Sequence, residues 1–239
     1  MLFLRKKMKK KNYYFTTFEL LLWGVSSVAI VVSFFLGSDG NVLALIASLI
    51  GTASLILAAK GNLVGPLLMV VFSVLYGIIS YGYAYYGEMI TYLGMSAPIA
   101  LATVFVWLKN PSAKGKAEVK INSLSRREYI FMWLIAFAVT VGFYFILKAL
   151  DTTNLLLSTL SVLTSFLAAW LSMRRSKFFA LAYAANDVVL IILWIMASFD
   201  SSGYFSVVVC FAVFLINDLY GFFNWRRMQR RQSAKVVQK

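Results

Sequence analysis

Long apolar stretches separated by short polar or small-residue breaks make up most of this 239-residue chain. Each stretch is close to the roughly 20 residues that an α-helix needs to cross a hydrocarbon core of about 30 Å. The pattern therefore predicts an all-α integral membrane protein with eight transmembrane helices. The predicted spans are Phe18–Leu36, Asn41–Ala59, Val64–Tyr83, Met89–Leu108, Tyr129–Leu147, Leu155–Met173, Phe178–Ser198 and Phe205–Phe223.

Composition supports the membrane assignment and excludes several classes of protein. Apolar residues make up 61% of the chain and charged residues 13%, which leaves too few polar side chains for a water-soluble surface. Cys210 is the single cysteine and histidine is absent, so we expect no disulfide, no His/Cys metal site and no cofactor. No nucleophile beside a base and no glycine-rich phosphate loop can be found, and we predict that the protein is not an enzyme.

Basic residues set the predicted orientation. All but one of the 23 lysines and arginines fall on one side of an eight-span chain, and the exception is Lys148. Because basic residues are retained in the cytoplasm, both termini are predicted there, in a multi-pass protein of the cell (inner or plasma) membrane. The net charge of +14 sits at helix ends, which favours contact with anionic lipids of the bilayer and argues against nucleic-acid binding.

An internal repeat organises the predicted helices. An offset of 118 residues pairs Tyr76 with Trp194 and Trp107 with Trp225 without a gap, and it also pairs Tyr86 with Tyr204. The offset predicts two parallel three-helix units joined by a connector helix, preceded by one added helix. The predicted regions are 1–40 (basic segment and added helix), 41–109 (first unit), 110–150 (cytoplasmic loop and connector), 151–227 (second unit) and 228–239 (basic tail).

Polar residues inside predicted spans are the candidate substrate ligands, because such residues usually face a cavity or a partner. Tyr183, Asp187 and Trp194 share one face of the seventh span, a surface suited to stacking on a flat heterocycle and hydrogen-bonding a ribose or amide. The alternative is an aromatic packing seam with a partly solvated aspartate.

Two further spans carry polar faces. Asn217 and Tyr220 form a stripe in the eighth span, for which hydrogen bonding between helices is the alternative. Asp218 lies on another face and is assigned to a neighbouring helix or to the interface. Tyr92 lies in the fourth span, where Pro98 is expected to bend the helix.

A family resemblance runs from about residue 41 to residue 227. The first half contains Gly61-Asn62, Tyr76, Tyr86-Gly87-Glu88, Pro98 and Trp107, and the final span contains Phe214-Leu-Ile-Asn-Asp-Leu-Tyr-Gly-Phe-Phe-Asn-Trp225. These residues resemble the PnuC family of nicotinamide riboside transporters. The resemblance implies a three-plus-one-plus-three fold similar to that of the SWEET sugar transporters, facilitated diffusion, trapping of the vitamin by a cytoplasmic kinase, and a homotrimer.

The chain departs from the family at the residues that stack on the substrate. The family has two tryptophans three residues apart shortly before an Asn or Asp. Here these positions fall on Ala180 and Tyr183 if Asp187 is the acid, or on Phe179 and Ala182 if Asn186 is its equivalent. Neither register keeps the indole pair, so thiamine, riboflavin or another flat vitamin remains an alternative cargo.

The sequence therefore predicts a uniporter for a vitamin precursor, nicotinamide riboside first, that works by alternating access. Tyr183 is expected to stack on the substrate, while Asp187 and Asn217 hydrogen-bond it. A proton-coupled carrier that uses Asp187 ranks below uniport. A non-transporting scaffold or assembly partner, whose tail from Arg226 binds lipid or a soluble protein, is a separate alternative.

Overall fold

The computed structural model describes residues 14–37, 40–82, 86–113, 117–152, 154–199 and 204–237, with side chains to residue 234. These residues form a bundle of eight long helices. Each is long and apolar enough to span a membrane, which confirms the predicted all-α membrane fold. The basic segment predicted before Tyr14 lies outside the described residues. The helices are α1 (Thr17–Gly37), α2 (Val42–Ala59), α3 (Val64–Gly82), α4 (Tyr86–Leu108), α5 (Arg126–Ala149), α6 (Leu155–Met173), α7 (Phe179–Ser198) and α8 (Phe205–Val237).

The last helix is longer than the sequence predicted. Its span was expected to end at Phe223, but α8 continues to Val237. Beyond Gly221 the chain contains neither glycine nor proline and is rich in Arg and Gln, residues with high helix propensity. The basic residues predicted as a separate tail therefore continue the helix.

A π-helical segment, Thr91–Ser96, interrupts α4 just before Pro98. Proline has no N–H and its ring clashes with the carbonyl four residues back, so the regular pattern cannot continue through it. The N–H of Ala97 instead bonds to the carbonyl of Tyr92, five residues earlier. The irregularity expected at Pro98 thus takes the form of a wider turn, a feature that often marks functional sites.

The helices are arranged as two three-helix groups. α3 contacts both α2 and α4, and α7 contacts both α6 and α8. The groups meet where α2 packs on α8 and where α4 packs on α6, while α1 packs on α2 and α8, and α5 packs on α6. The two groups therefore make corresponding contacts, and α1 and α5 pack outside them.

Two tryptophans make equivalent contacts across the groups. The Nε1 of Trp107 in α4 donates to the carbonyl of Ser172 in α6 at 2.9 Å, and the Nε1 of Trp225 in α8 donates to the carbonyl of Ala58 in α2 at 2.9 Å. Each acceptor lies two residues before the cap of its helix. Fewer residues separate Ala58 from Ser172 than separate Trp107 from Trp225. The offset of 118 residues that aligns the tryptophans therefore does not align their two acceptors without a gap.

A short extended segment, residues 117–125, joins the two groups at one end of the bundle, and we call it the strap. The N–H of Val119 donates to the carbonyl of Gly61 at 2.9 Å, and the N–H of Asn122 donates to the carbonyl of Arg175 at 3.0 Å. Gly61 and Arg175 occupy corresponding turns, α2–α3 and α6–α7, and both have positive φ. Gln232 of α8 accepts from the N–H of Ile121. This end carries most of the described basic residues, and we call it the basic side.

Candidate substrate site

A central cavity lies between the two groups, at the level of the π-helical segment, and has a volume of about 40 Å³. Helices α2, α3, α4, α6, α7 and α8 all contribute side chains to its wall. A single water needs about 10–15 Å³, so the closed cavity holds a few waters and must widen to admit a larger ligand. The π-helical segment supplies Tyr92 and Ser96, so the irregular turn at Pro98 shapes one wall of this cavity.

α7 supplies the side chains predicted as substrate ligands. Tyr183, Asn186 and Asp187 all line the central cavity. The Oδ1 of Asn186 accepts hydrogen bonds from Thr164 and Ser165 of α6, at 2.8 and 2.9 Å. These two bonds fix the amide and do not use its Nδ2 donors.

Asp187 faces a second carboxyl group, that of Asp218 in α8. The two are within hydrogen-bonding reach of each other, both line the cavity, and they are only 3% and 4% exposed. Asp218 was not among the residues predicted to bind the substrate. A usable signal was present, since Phe211, Phe214 and Asp218 recur at i, i+3 and i+7 and all three line the cavity.

Two buried polar atoms of the cavity have no hydrogen-bond partner among the described residues. They are the Oδ2 of Asp187 and the Oγ of Ser73. A buried polar atom left unpaired costs about 1–3 kcal/mol, so native proteins keep few of them. Unpaired atoms that line a cavity are available to a ligand.

An aromatic layer closes the central cavity on the side away from the strap. Tyr76 and Tyr92 have ring centroids 4.4 Å apart, and Phe72 lies 5.6 Å from both Tyr76 and Phe214. Beyond this outer layer lies a second cavity of about 40 Å³, lined by Tyr76 and Trp194 among others. The outer layer therefore separates the two cavities.

A second aromatic layer closes the path toward the basic side. The ring centroid of Trp225 lies 4.7 Å from that of Phe179 and 5.4 Å from that of Trp107. A small cavity of about 20 Å³ between this inner layer and the central cavity is lined by Phe179 and shares Tyr183 with the central cavity. The three cavities follow one another along the interface between the groups.

The predicted site residues thus separate into three sets. Tyr92, Tyr183, Asn186 and Asp187 meet in the central cavity, Phe179 lies in the inner layer, and Trp194 lines the outer cavity. Asn217 and Tyr220 do not line the central cavity and contact α1 instead. The Nδ2 of Asn217 donates to Ser26 at 2.9 Å, and the hydroxyl of Tyr220 donates to Glu19 at 2.7 Å.

Glu19 of α1 is the centre of this second polar cluster. Its carboxylate accepts from the Nζ of Lys60 at 2.8 Å, from the N–H of Thr16 at 2.6 Å and from Tyr220. Glu19 is 2% exposed and its charge is matched by Lys60. The stripe predicted as a substrate surface in α8 is therefore the surface on which the added helix packs.

Comparison with known proteins extends over almost the whole chain. A nicotinamide riboside transporter PnuC from Neisseria mucosa is 25% identical over 227 residues, covering 92% of this chain and 85% of that protein. A nicotinamide riboside transporter PnuC from Haemophilus influenzae is 22% identical over 192 residues, covering 80% and 82%. A crystal structure of the vitamin B3 transporter PnuC has the same fold, with a TM-score of 0.78, 24% identity and coverage of 91% and 94%.

Residues 41–227 match the family described as nicotinamide mononucleotide transporter. The matched segment contains both three-helix groups and all residues that line the central cavity. The resemblance noted from the sequence is confirmed. The chain therefore belongs to the nicotinamide mononucleotide transporter family of membrane transporters, together with the PnuC proteins, and is not an enzyme.

Proposed function

We propose that this protein carries nicotinamide riboside across the membrane by facilitated diffusion. Family membership supports transport, and the names of the two PnuC relatives support nicotinamide riboside as cargo. The observation that carries the proposal is the central cavity, which lies between the two groups and contains unpaired polar atoms of Asp187 and Ser73.

The lining of the cavity favours the riboside over the phosphorylated mononucleotide in the family's description. A phosphate group needs Arg or Lys side chains, backbone N–H groups or a metal to balance its charge. The lining residues described include two aspartates and neither lysine nor arginine. Loss of the family's indole pair keeps thiamine and riboflavin as the alternative cargoes.

Four side chains of the cavity are assigned to the substrate. Tyr183 and Tyr92 supply aromatic faces for the flat ring, Asn186 offers the donors of its amide, and Asp187 accepts from a hydroxyl or amide. Tyr183 takes the place of one family tryptophan, so stacking is retained on one side with a smaller ring.

Transport is proposed to occur by alternating access, with the two groups rocking about the central cavity. The inner and outer aromatic layers act as the gates, and both are closed in this structure. Trp194 belongs to the outer path and Phe179 to the inner gate. No lysine or arginine lies in either layer, and the proposal requires no ion gradient.

The cellular setting follows from the distribution of charge. The basic side, with the strap and the end of α8, is assigned to the cytoplasm, so both termini lie there in a cell membrane. A cytoplasmic kinase that phosphorylates the vitamin would keep uptake downhill. A homotrimer is proposed from the family resemblance.

Uptake into proteoliposomes by the purified protein tests the proposal. Labelled nicotinamide riboside, its mononucleotide, thiamine and riboflavin are compared, with and without an imposed pH gradient. We expect saturable uptake of the riboside that the gradient does not change. Uptake of none of these ligands by folded protein would reject the vitamin cargo, and gradient-driven uptake would reject uniport.

A tyrosine pair provides the matched control. Tyr183→Ala removes the proposed stacking ring and should weaken riboside uptake by about tenfold or more, since aromatic stacking contributes about 1–3 kcal/mol. Tyr81→Ala removes a ring of the same size that is 63% exposed on α3 and should leave uptake unchanged. Equal loss in both variants would mean that the cavity is not the site.

A further inference from the structure

The central cavity contains two buried acids and no basic partner. The three ion pairs among the described residues use Glu19, Glu118 and Glu128. Neither Asp187 nor Asp218 takes part in one, although both are buried in the membrane interior. Two carboxyl groups in hydrogen-bonding reach share at least one proton, so the pair carries at most one negative charge. In that singly ionised form the pair has no counter-ion in the described part of the protein.

Aromatic faces surround the same charge. Tyr92, Tyr183, Phe211 and Phe214 line the cavity with the two aspartates. Aromatic faces attract a cation through the ring quadrupole, and the attraction is larger where water is excluded. An anionic pair among aromatic rings therefore fits a flat ring that carries a fixed positive charge.

We propose that the Asp187–Asp218 pair reads the positive charge of the substrate ring, which makes Asp218 a specificity-determining residue of this transporter. The inference rests on the transport function proposed above and narrows its substrate class to cationic heterocycles. Nicotinamide riboside, a pyridinium, and thiamine, a thiazolium, belong to this class. Riboflavin, whose ring is neutral, does not.

A structural role for the pair does not account for its contacts. Glu19, equally buried, has a lysine, a tyrosine and a backbone N–H as partners. Asp187 lines the cavity, and its buried Oδ2 is unpaired. Because a buried polar atom without a partner destabilises the empty protein, the missing partner is assigned to the ligand.

The charge count makes a specific prediction. In Asp187→Asn or Asp218→Asn, the new amide can donate to the remaining carboxylate, so one negative charge stays in the cavity. The double variant Asp187→Asn/Asp218→Asn keeps similar shapes and an amide–amide hydrogen bond but carries no charge. Selectivity for a cation should thus survive either single change and disappear in the double variant.

Binding of two forms of one ligand tests this prediction. The probes are nicotinamide riboside and its reduced dihydro form, which lacks the ring charge, each titrated calorimetrically into purified full-length protein in detergent. The ratio of their affinities is compared among variants, so that intrinsic differences in ring stacking cancel. We expect ratios within about threefold of the original protein for each single variant and a drop of about tenfold for the double variant.

Each outcome separates the two proposals. An unchanged ratio in the double variant, or equal affinities for both forms in the original protein, would overturn the charge-reading role while leaving riboside transport intact. Equal weakening of both ligands would show a structural role for the pair. Failure of the original protein to bind nicotinamide riboside at all would reject the proposed function itself. Tyr81→Ala, far from the pair, serves as the unaffected control in each titration.

Discussion

Two buried acids in this transporter have opposite surroundings. Glu19 joins α1 to α2 and α8 through Lys60 and Tyr220. Its carboxylate also accepts a hydrogen bond from the backbone N–H of Thr16. Asp187 faces another acid, Asp218, and leaves an oxygen unpaired. The first arrangement stabilises the fold by itself, whereas the second is complete only when a ligand is present. Removing charge should therefore lower the stability of the protein when Lys60 is replaced beside Glu19, and raise it when Asp187 and Asp218 are both replaced.

The largest expected effect is loss of the Glu19 counter-ion. Lys60→Met leaves a buried carboxylate without its cation and should destabilise the protein by about 3–5 kcal/mol, which lowers its thermal midpoint in detergent. The double variant Glu19→Met/Lys60→Met removes both charges and should recover most of that loss. A single variant as stable as the original would mean that Glu19 is not held by Lys60.

The hydroxyl of Tyr220 provides a smaller test at the same cluster. Tyr220→Phe removes one hydrogen bond to a charged acceptor and should destabilise the protein by about 1.5–3 kcal/mol. Riboside affinity should not change, since Tyr220 does not line the central cavity. Weaker riboside binding without loss of stability would instead return Tyr220 to the substrate path.

The acid pair should respond in the opposite direction. Asp187→Asn/Asp218→Asn removes the buried charge proposed for this pair and should stabilise the empty protein by about 1 kcal/mol. The thermal midpoint measured without ligand checks this, with Lys60→Met as the contrasting variant. A midpoint well below that of the original protein would place the aspartates with Glu19 as structural acids.

Ser73 gives the smallest expected change. Its Oγ lines the central cavity without a partner among the described residues, so Ser73→Ala removes an unpaired polar atom and should raise stability, by less than about 1 kcal/mol once the lost packing contacts are counted. Thr91→Val is the contrasting change, because the Thr91 hydroxyl bonds the carbonyl of Gly87 at 2.8 Å. Thermal midpoints of the two variants in the same detergent make the comparison.

The fold was largely predictable because membrane spans are defined by length and hydropathy. The position of the candidate substrate site was harder to predict. In a soluble helix the polar side faces water, but in α8 apolar residues surround both polar faces, and the sequence does not say which one meets another helix. Asn217 and Tyr220 were assigned to the substrate for that reason, although their face contacts α1. Asp218 lay on the face that was set aside.

In α7 the polar residues are concentrated on the cavity side. Tyr183 and Asp187 were predicted to share a face from their helical spacing, and both line the central cavity. Trp194 shares that helical face but lies about two turns beyond Asp187, so it reaches the outer cavity instead. Periodicity gives the direction of a side chain and not its depth relative to a closed aromatic layer.

The strap has a consequence for the speed of the conformational cycle. Its two amides, on Val119 and Asn122, bond to turns that belong to different three-helix groups. Any movement that separates these turns must break one of the two bonds or draw the strap along with one group. Hydrogen–deuterium exchange would report how often each of the two bonds breaks. The amide that exchanges faster identifies the group that separates from the strap. If every transport cycle opens the basic side, the opening rate of that amide is an upper limit on the turnover rate.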